Sequence, residues 1–372
     1  MSNAEKIWQA MLASNVDTVA FYPCNKLNDI MKCVPASVEV LDTTKESTGV
    51  ALCFGRSLAN KRSALICQNT GLGGIITELF TMQILYQEAL PIFVSWRGHY
   101  KEWIEAQVIF GAKTEALLKA IDVDYKALDT ASDLKGLDDD IAQIFSEKRV
   151  KVYLMSPELW PDVSNDYHFF GHPRINPVSV SAEGYQGQPT VTRGGALEQI
   201  VDIVEDDDLL LAQIGYPAKE LYNRKDRPEN FYMLGGLGSC TEMAIGLARE
   251  VKNRHVYVID GDGSFFFNPN QLVDLATFGP SNLSVICLDN GSYGSTGSQP
   301  TPSSKGHNLS AIVKALGIQS TGMTDKPDEL EKLIKDKARF IHYMIKAGND
   351  YSGQEIPLKA VEIKERFKKR IS

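Results

Sequence analysis

Residues 259–297 read IDGDGSFFFNPNQLVDLATFGPSNLSVICLDNGSYGSTG, and their punctuation decides the fold. An apolar run at 255–259 stops at Gly261-Asp262-Gly263, and a second at 283–288 stops at Asp289-Asn290-Gly291. Short continuous apolar runs closed by glycine have the form of strands buried on both faces, as in a parallel sheet. The apolar spacing of 268–277 predicts a crossover helix with Pro269 in its first turn. The two strands then end side by side.

That arrangement brings the Asp262 carboxylate and the Asn290 amide oxygen to the carboxyl edge of a sheet, where open α/β folds bind ligands. A few hard oxygen ligands, with glycines that let backbone approach phosphate, suit Mg²⁺ shared with a diphosphate. Backbone N–H groups of Gly263 and Ser264, at the start of a following helix, can meet the anionic oxygens.

These residues resemble the signature of thiamine-diphosphate-dependent enzymes, a Gly-Asp-Gly followed at a fixed interval by an Asn. Here Asn290 stands 28 residues after Asp262, within the family's range. A lone Gly-Asp-Gly is an ordinary turn; a strand before each element and GSYGSTG after the second make the pattern specific. The resemblance implies thiamine diphosphate and Mg²⁺ as cofactors. Asp262, the Asn290 side chain and the Ser292 carbonyl would be the metal ligands, with Gly261, Gly263, Ser264 and Tyr293 about the diphosphate.

With 372 residues, 43% apolar and 23% charged, the chain has the composition of a soluble globular protein of two domains. A net charge of −8 and a pI near 5.4 argue against nucleic acid as a partner. The basic run at 364–370 reads as the solvated face of a last helix. No apolar run reaches membrane-spanning length, and MSNAEKIWQAMLASN lacks the form of a secretory signal, so no membrane partner and a cytoplasmic location are expected. The six cysteines form no CxxC pair, which indicates neither zinc nor an iron–sulfur cluster; Cys53, Cys67 and Cys287 lie in apolar runs as small core residues.

Strands expected at 18–22, 38–41, 63–67, 90–96 and 150–155 alternate with helices at 5–11, 46–60, 74–86 and 113–120. That alternation predicts an α/β, doubly wound parallel sheet. Prolines and glycines from 156 to 190 mark a linker. Beyond it the pattern repeats, with helices at 194–204, 241–250, 309–315 and 328–337 and strands at 209–214 and 340–345. The expected domains are 1–165, a linker at 166–190, and 191–372. Two such units are what the thiamine-diphosphate family possesses, one binding the aminopyrimidine and the other the diphosphate. The third, middle domain of larger relatives is absent. The resemblance implies a homodimer or homotetramer with active sites between chains.

It also assigns roles. Glu46, at the start of a glycine-containing apolar helix, matches the catalytic carboxylate that hydrogen-bonds the pyrimidine ring and promotes removal of the C2 proton. Acidic residues favour first helical turns in any case, so the match rests on its spacing to QNTGLG. Leu237, followed by Gly238, matches the large apolar residue that bends the cofactor. Polar groups at strand ends of the other unit would line the substrate pocket: Cys24 and Asn25, Gln68 and Asn69, Arg97 and His99. Cys24, Asn25, Asn69 and His99 are the further catalytic candidates, and Gln68, Arg97 and Lys101 those for binding substrate.

QNTGLGG, WRGHYKEWIEAQVIFG and GSYGSTGSQPT resemble the sulfopyruvate decarboxylases and the related phosphonopyruvate decarboxylases. The resemblance implies non-oxidative decarboxylation of 3-sulfopyruvate to sulfoacetaldehyde in coenzyme M biosynthesis, with the two units, often separate chains, fused here. Arg97 and Lys101 could neutralise a sulfonate, and a guanidinium fork suits tetrahedral oxyanions. The alternatives are phosphonopyruvate as substrate, a 2-oxoacid oxidoreductase component, and an inactive cofactor-binding subunit.

Overall fold

Six segments of the N-terminal half lie side by side as parallel strands: β1 (Val16–Phe21), β2 (Glu39–Asp42), β3 (Arg62–Gln68), β4 (Leu90–Ser95), β5 (Asp124–Leu128) and β6 (Val150–Met155), in the order β2-β1-β3-β4-β6-β5. The structure is a computed structural model and describes residues 1–160, 185, 187–296, 298–348 and 353–371. The chain divides into two compact units, Met1–Arg174 and Ile175–Ser372. Most of the expected linker at 166–190 lies outside the described residues.

In the first unit, successive strand residues point to opposite faces and each face carries its own core. Val19, Ile66, Phe93 and Tyr153 pack with Trp8 and Ile141 on one side; Ala20, Leu65, Ile92 and Val152 pack with Val50 and Ile75 on the other. This two-sided burial is why these strands read as continuous apolar runs.

The second unit contains β7 (Leu209–Ala212), β8 (Asn230–Tyr232), β9 (Val256–Gly261) and β10 (Leu283–Asp289), a small antiparallel ribbon of β11 (Ser292–Tyr293) and β12 (Gln299–Pro300), then β13 (Thr321–Thr324) and β14 (Phe340–Met344). Its main sheet is also parallel, in the order β13-β14-β10-β9-β7-β8. Counted from the other edge, that is the winding of the first unit repeated. In each sheet the chain first turns to one side and then to the other, so a crevice opens at the carboxyl ends of the first and third strands, β1 and β3 or β7 and β9.

The structure corrects several expected boundaries. Between β9 and β10 there are two helices, Asp262–Phe267 and Asn270–Phe278; Pro269 is the N-cap of the second and not part of its first turn. The helix expected at 74–86 begins at Leu72 and passes into a π-helical stretch at Leu79–Ile84. Strands β5, β8 and β13 and the helices Glu105–Gly111, Leu137–Glu147 and Tyr216–Arg224 were not expected. Among the described residues no helix is long and apolar enough to cross a membrane.

Candidate active site

In the second unit β9 and β10 are in register up to the pair Gly261 and Leu288, so Asp262 and Asp289 follow on adjacent strands and Asn290 is one residue further. The strand ends are therefore neighbours, as the sequence requires. Asp262 starts a helix, is 2% exposed, and accepts a hydrogen bond from the Thr301 hydroxyl. Asn290 Oδ1 accepts the Ser292 N–H at 3.1 Å, and Asp289 Oδ1 the Gly291 N–H at 2.9 Å, which folds the chain tightly after β10. Tyr293 packs over Gly263, where a Cβ would lie 2.7 Å from the ring.

Burial, together with the nearby charge of Asp289, pushes the Asp262 carboxyl up to about 7. Burial acts on Asp289 in the same sense, but hydrogen bonds from His342, Ser303 and the Gly291 N–H outweigh it and hold that carboxyl below its ordinary value. Among the described residues the hydrogen-bond partners of Asp262 are the Thr301 hydroxyl and backbone N–H groups, none of them a cationic side chain. Among the described residues the buried Ser292 hydroxyl has no hydrogen-bond partner. A carboxylate, an amide oxygen and a carbonyl without a positive side chain among them form a donor set that fits Mg²⁺.

Around this point the second unit adds groups that sequence reasoning passed over. Gln213, just after β7, donates to Ser264 Oγ at 2.7 Å, while its Oε1 accepts the Ile214 N–H at 2.9 Å. Asp260 is fully buried with one oxygen unpaired, and burial pushes its carboxyl up to about 7. The only signal for either residue is its place at a strand end. Leu237 is 40% exposed between Gly236 and Gly238, both with φ near +80° (77° and 82°). That backbone suits glycine and holds a large apolar side chain outward. Asn268 braces the turn, donating to the Gly238 carbonyl at 2.6 Å and to Glu242 at 3.0 Å.

In the first unit Glu46 is the first residue of the helix Glu46–Leu58. Its carboxylate lies against Gly71, where any Cβ would collide with it, so Glu46 and the QNTGLG turn are in direct contact. Gln68 ends β3, half-buried, beside them. Burial raises the Cys67 thiol well above its usual range; Cys67 lies near the end of β3, which pairs with β1, and Cys24 follows the end of β1.

Arg97 organises the rest. Its Nε donates to Glu102 Oε2 at 2.5 Å and its Nη1 to Asn25 Oδ1 at 3.1 Å, with Cys24 Sγ 3.8 Å from Nη1. The Arg97 and Glu102 side chains are only 6% and 5% exposed. Cys24 Sγ also accepts from Ser95 Oγ at 3.3 Å. Asn69 is fully buried: its Nδ2 donates to the Arg97 carbonyl and to Thr114, and its Oδ1 accepts the Arg97 N–H, so it braces the ends of β3 and β4. Cys24, Asn25, Asn69 and Arg97 are thus brought together. His99 and Lys101 take other partners. The His99 ring stacks on Trp96 at 3.7 Å with Nε2 3.2 Å from Asp129, and the Lys101 ammonium lies 4.8 Å from the Tyr100 ring. Glu102 was not among the expected site residues, because its partner is reached only through the turn of the loop.

Residues 214–342 match the family model described as thiamine pyrophosphate enzyme, C-terminal TPP binding domain. The thiamine diphosphate-dependent 4-hydroxybenzoylformate decarboxylase of Rhodococcus jostii RHA1 superposes with a TM-score of 0.72 at 11% identity, over 95% of this chain and 100% of that one, a likeness of fold. The fold is thus shared with that enzyme, and the second unit carries the domain described as the C-terminal TPP binding domain of thiamine pyrophosphate enzymes. The sulfopyruvate decarboxylase of Methanosarcina acetivorans is 34% identical over 99% of this chain and 97% of its own length. The chain belongs to the sulfopyruvate decarboxylase family. The phosphonopyruvate decarboxylase of Streptomyces hygroscopicus is 28% identical over 99% of this chain and 94% of its own.

Proposed function

We propose that this protein decarboxylates 3-sulfopyruvate to sulfoacetaldehyde and CO₂ without oxidation, as a step of coenzyme M biosynthesis. The observation that carries this is the likeness to a sulfopyruvate decarboxylase along the full length of both chains. In this reading Asp262, the Asn290 side chain and the Ser292 carbonyl hold Mg²⁺, and Gly261, Gly263, Ser264 and Tyr293 lie about the diphosphate. Leu237 and Gly238 support the cofactor ring. When bound, thiamine diphosphate supplies a nucleophilic carbon for the keto group and an electron sink for the departing carboxylate.

The chain's own groups do the rest. The Glu46 carboxylate would hydrogen-bond the pyrimidine ring and so promote removal of the C2 proton. Arg97 receives the second anionic group of the substrate: among the described residues its Nη2 carries no hydrogen bond, whereas Nε and Nη1 are held by Glu102 and Asn25. Gln68 and Lys101 assist binding, and Cys24, Asn25, Asn69 and His99 shape the pocket and its proton supply. The working assembly is a homodimer or homotetramer in the cytoplasm.

Phosphonopyruvate remains a second reading, supported by the full-length likeness to a phosphonopyruvate decarboxylase; a guanidinium meets both oxyanions. The test is CO₂ release by the purified protein with thiamine diphosphate and Mg²⁺, offered sulfopyruvate, phosphonopyruvate and pyruvate in turn. Preference for sulfopyruvate supports the proposal. Preference for phosphonopyruvate replaces it, and turnover of none of them while the cofactor binds removes the decarboxylase reading for these substrates.

A further inference from the structure

The residue that organises the tips of β9 and β10 is not one of the proposed metal ligands. Asp289 is 1% exposed, and its two oxygens serve three donors: Oδ1 accepts the Gly291 N–H at 2.9 Å, while Oδ2 accepts the Ser303 hydroxyl and lies 2.7 Å from His342 Nε2. A carboxylate only accepts, so Nε2–H is the donor to Asp289, and among the described residues the buried Nδ1 has no partner. His342 lies on β14 in register with Cys287, two residues before Asp289 and so on the same face of the sheet. The segment after β12 joins the same knot. Its Thr301 N–H donates to the Gly291 carbonyl at 3.0 Å, and its hydroxyl donates to Asp262.

Asp289 is next to Asp262 across the strands, yet both of its oxygens are already committed. A cation arriving here meets Asp262, Asn290 and Ser292, whose spacing depends on the turn that Asp289 closes. We propose that Asp289 and His342 are positioning residues for the divalent cation: the His342 ring orients the Asp289 carboxylate, and that carboxylate fixes the Asn290–Ser292 turn in the shape that presents its oxygens beside Asp262. The inference rests on the assignment of Asp262, Asn290 and Ser292 as the metal ligands. Groups that orient ligands without touching the metal typically change its affinity about 10- to 100-fold when removed.

The experiment measures Mn²⁺ binding to the full chain with thiamine diphosphate, by the paramagnetic resonance of free Mn²⁺, beside thermal unfolding of the same samples. His342→Ala is expected to weaken Mn²⁺ by about 10- to 100-fold. His342→Gln, whose amide can still donate to Asp289, recovers part of the loss, and Ser303→Ala gives a smaller shift in the same direction. If His342→Ala does not fold, His342→Gln and Ser303→Ala carry the test. Lower unfolding temperatures with an unchanged Mn²⁺ constant in all variants overturn the inference. Asp262→Asn separates the two levels: if it binds Mn²⁺ like the parent, the assignment of the ligands fails, and if it loses Mn²⁺ while the His342 variants keep it, only the positioning role fails.

Discussion

The Glu46 carboxylate lies directly against Gly71, and a Cβ built on that glycine would stand 2.6 Å from Glu46 Cδ and Cγ. Gly71 has an ordinary helical φ of −71°, so its backbone would accept alanine. What yields in Gly71→Ala is therefore the flexible carboxylate. The variant is expected to unfold within about 1 kcal/mol of the parent and to lose most of its turnover. Glu46→Gln, which removes the charge in place, is expected to lose about 100-fold or more in kcat while still binding thiamine diphosphate. Parent-like CO₂ release by both variants would remove Glu46 from its proposed role.

Arg97 and Glu102 form a part-buried ion pair, and desolvated pairs are costly to break on one side only. Arg97→Met leaves the Glu102 charge without its partner in a part-buried site and is expected to destabilise by about 1–3 kcal/mol. Arg97→Met combined with Glu102→Gln should recover a large part of that loss, because the stranded charge is gone. Arg97→Lys keeps the charge without the fork, and the expected kinetic result is a KM for sulfopyruvate raised about tenfold with a smaller change in kcat. Denaturant titrations of the four proteins and steady-state assays of the lysine variant decide both points.

These two relationships also mark the limit of what sequence could disclose. Strands β3, β4, β9 and β10 were legible because both of their faces are buried, which leaves long apolar runs ended by glycine or polar residues. Strands β5, β8 and β13 are edge or near-edge strands, short or partly polar, with no periodicity to separate them from loop. Asp262 and Asn290 were proposed as site residues from local punctuation, whereas Glu102 and His342 were not. Glu102 meets Arg97 only through the turn of a loop, and His342 meets Asp289 across 53 residues of chain through the register of β10 and β14. The first pairing is set by the shape of a short irregular loop and the second by tertiary structure, and neither shows in the periodicity of the sequence.

Leu237 offers a test of the cofactor support that stability does not confound. At 40% exposed it contributes little to the core, so Leu237→Ala is expected to unfold within about 1 kcal/mol of the parent. If thiamine diphosphate covers this side chain, removing three carbons costs on the order of 2 kcal/mol of binding, roughly a tenfold or greater loss of affinity. Calorimetric titration of both proteins with the cofactor at saturating Mg²⁺ measures it. Equal affinities would leave Leu237 as an exposed turn residue.

His255 ties stability to pH. It lies at the amino end of β9, 6% exposed, with Nε2 2.9 Å from Ser284 Oγ, and burial with the nearby charge of Lys337 lowers its pKa to about 4. An unfolded histidine titrates near 6.5. The folded state therefore holds fewer protons than the unfolded one between these values, and this contribution to stability is complete above pH 6.5 and is lost as pH falls toward 4. Between pH 7 and pH 5 the loss is about 2 kcal/mol. Neighbouring acids with raised pKa values act in the opposite sense, so the parent's profile is compared with that of His255→Gln, which keeps a donor for Ser284 and cannot titrate. The variant's stability should fall less than the parent's over that interval in urea titrations at the two pH values, and parallel profiles would show that His255 is not the group responsible.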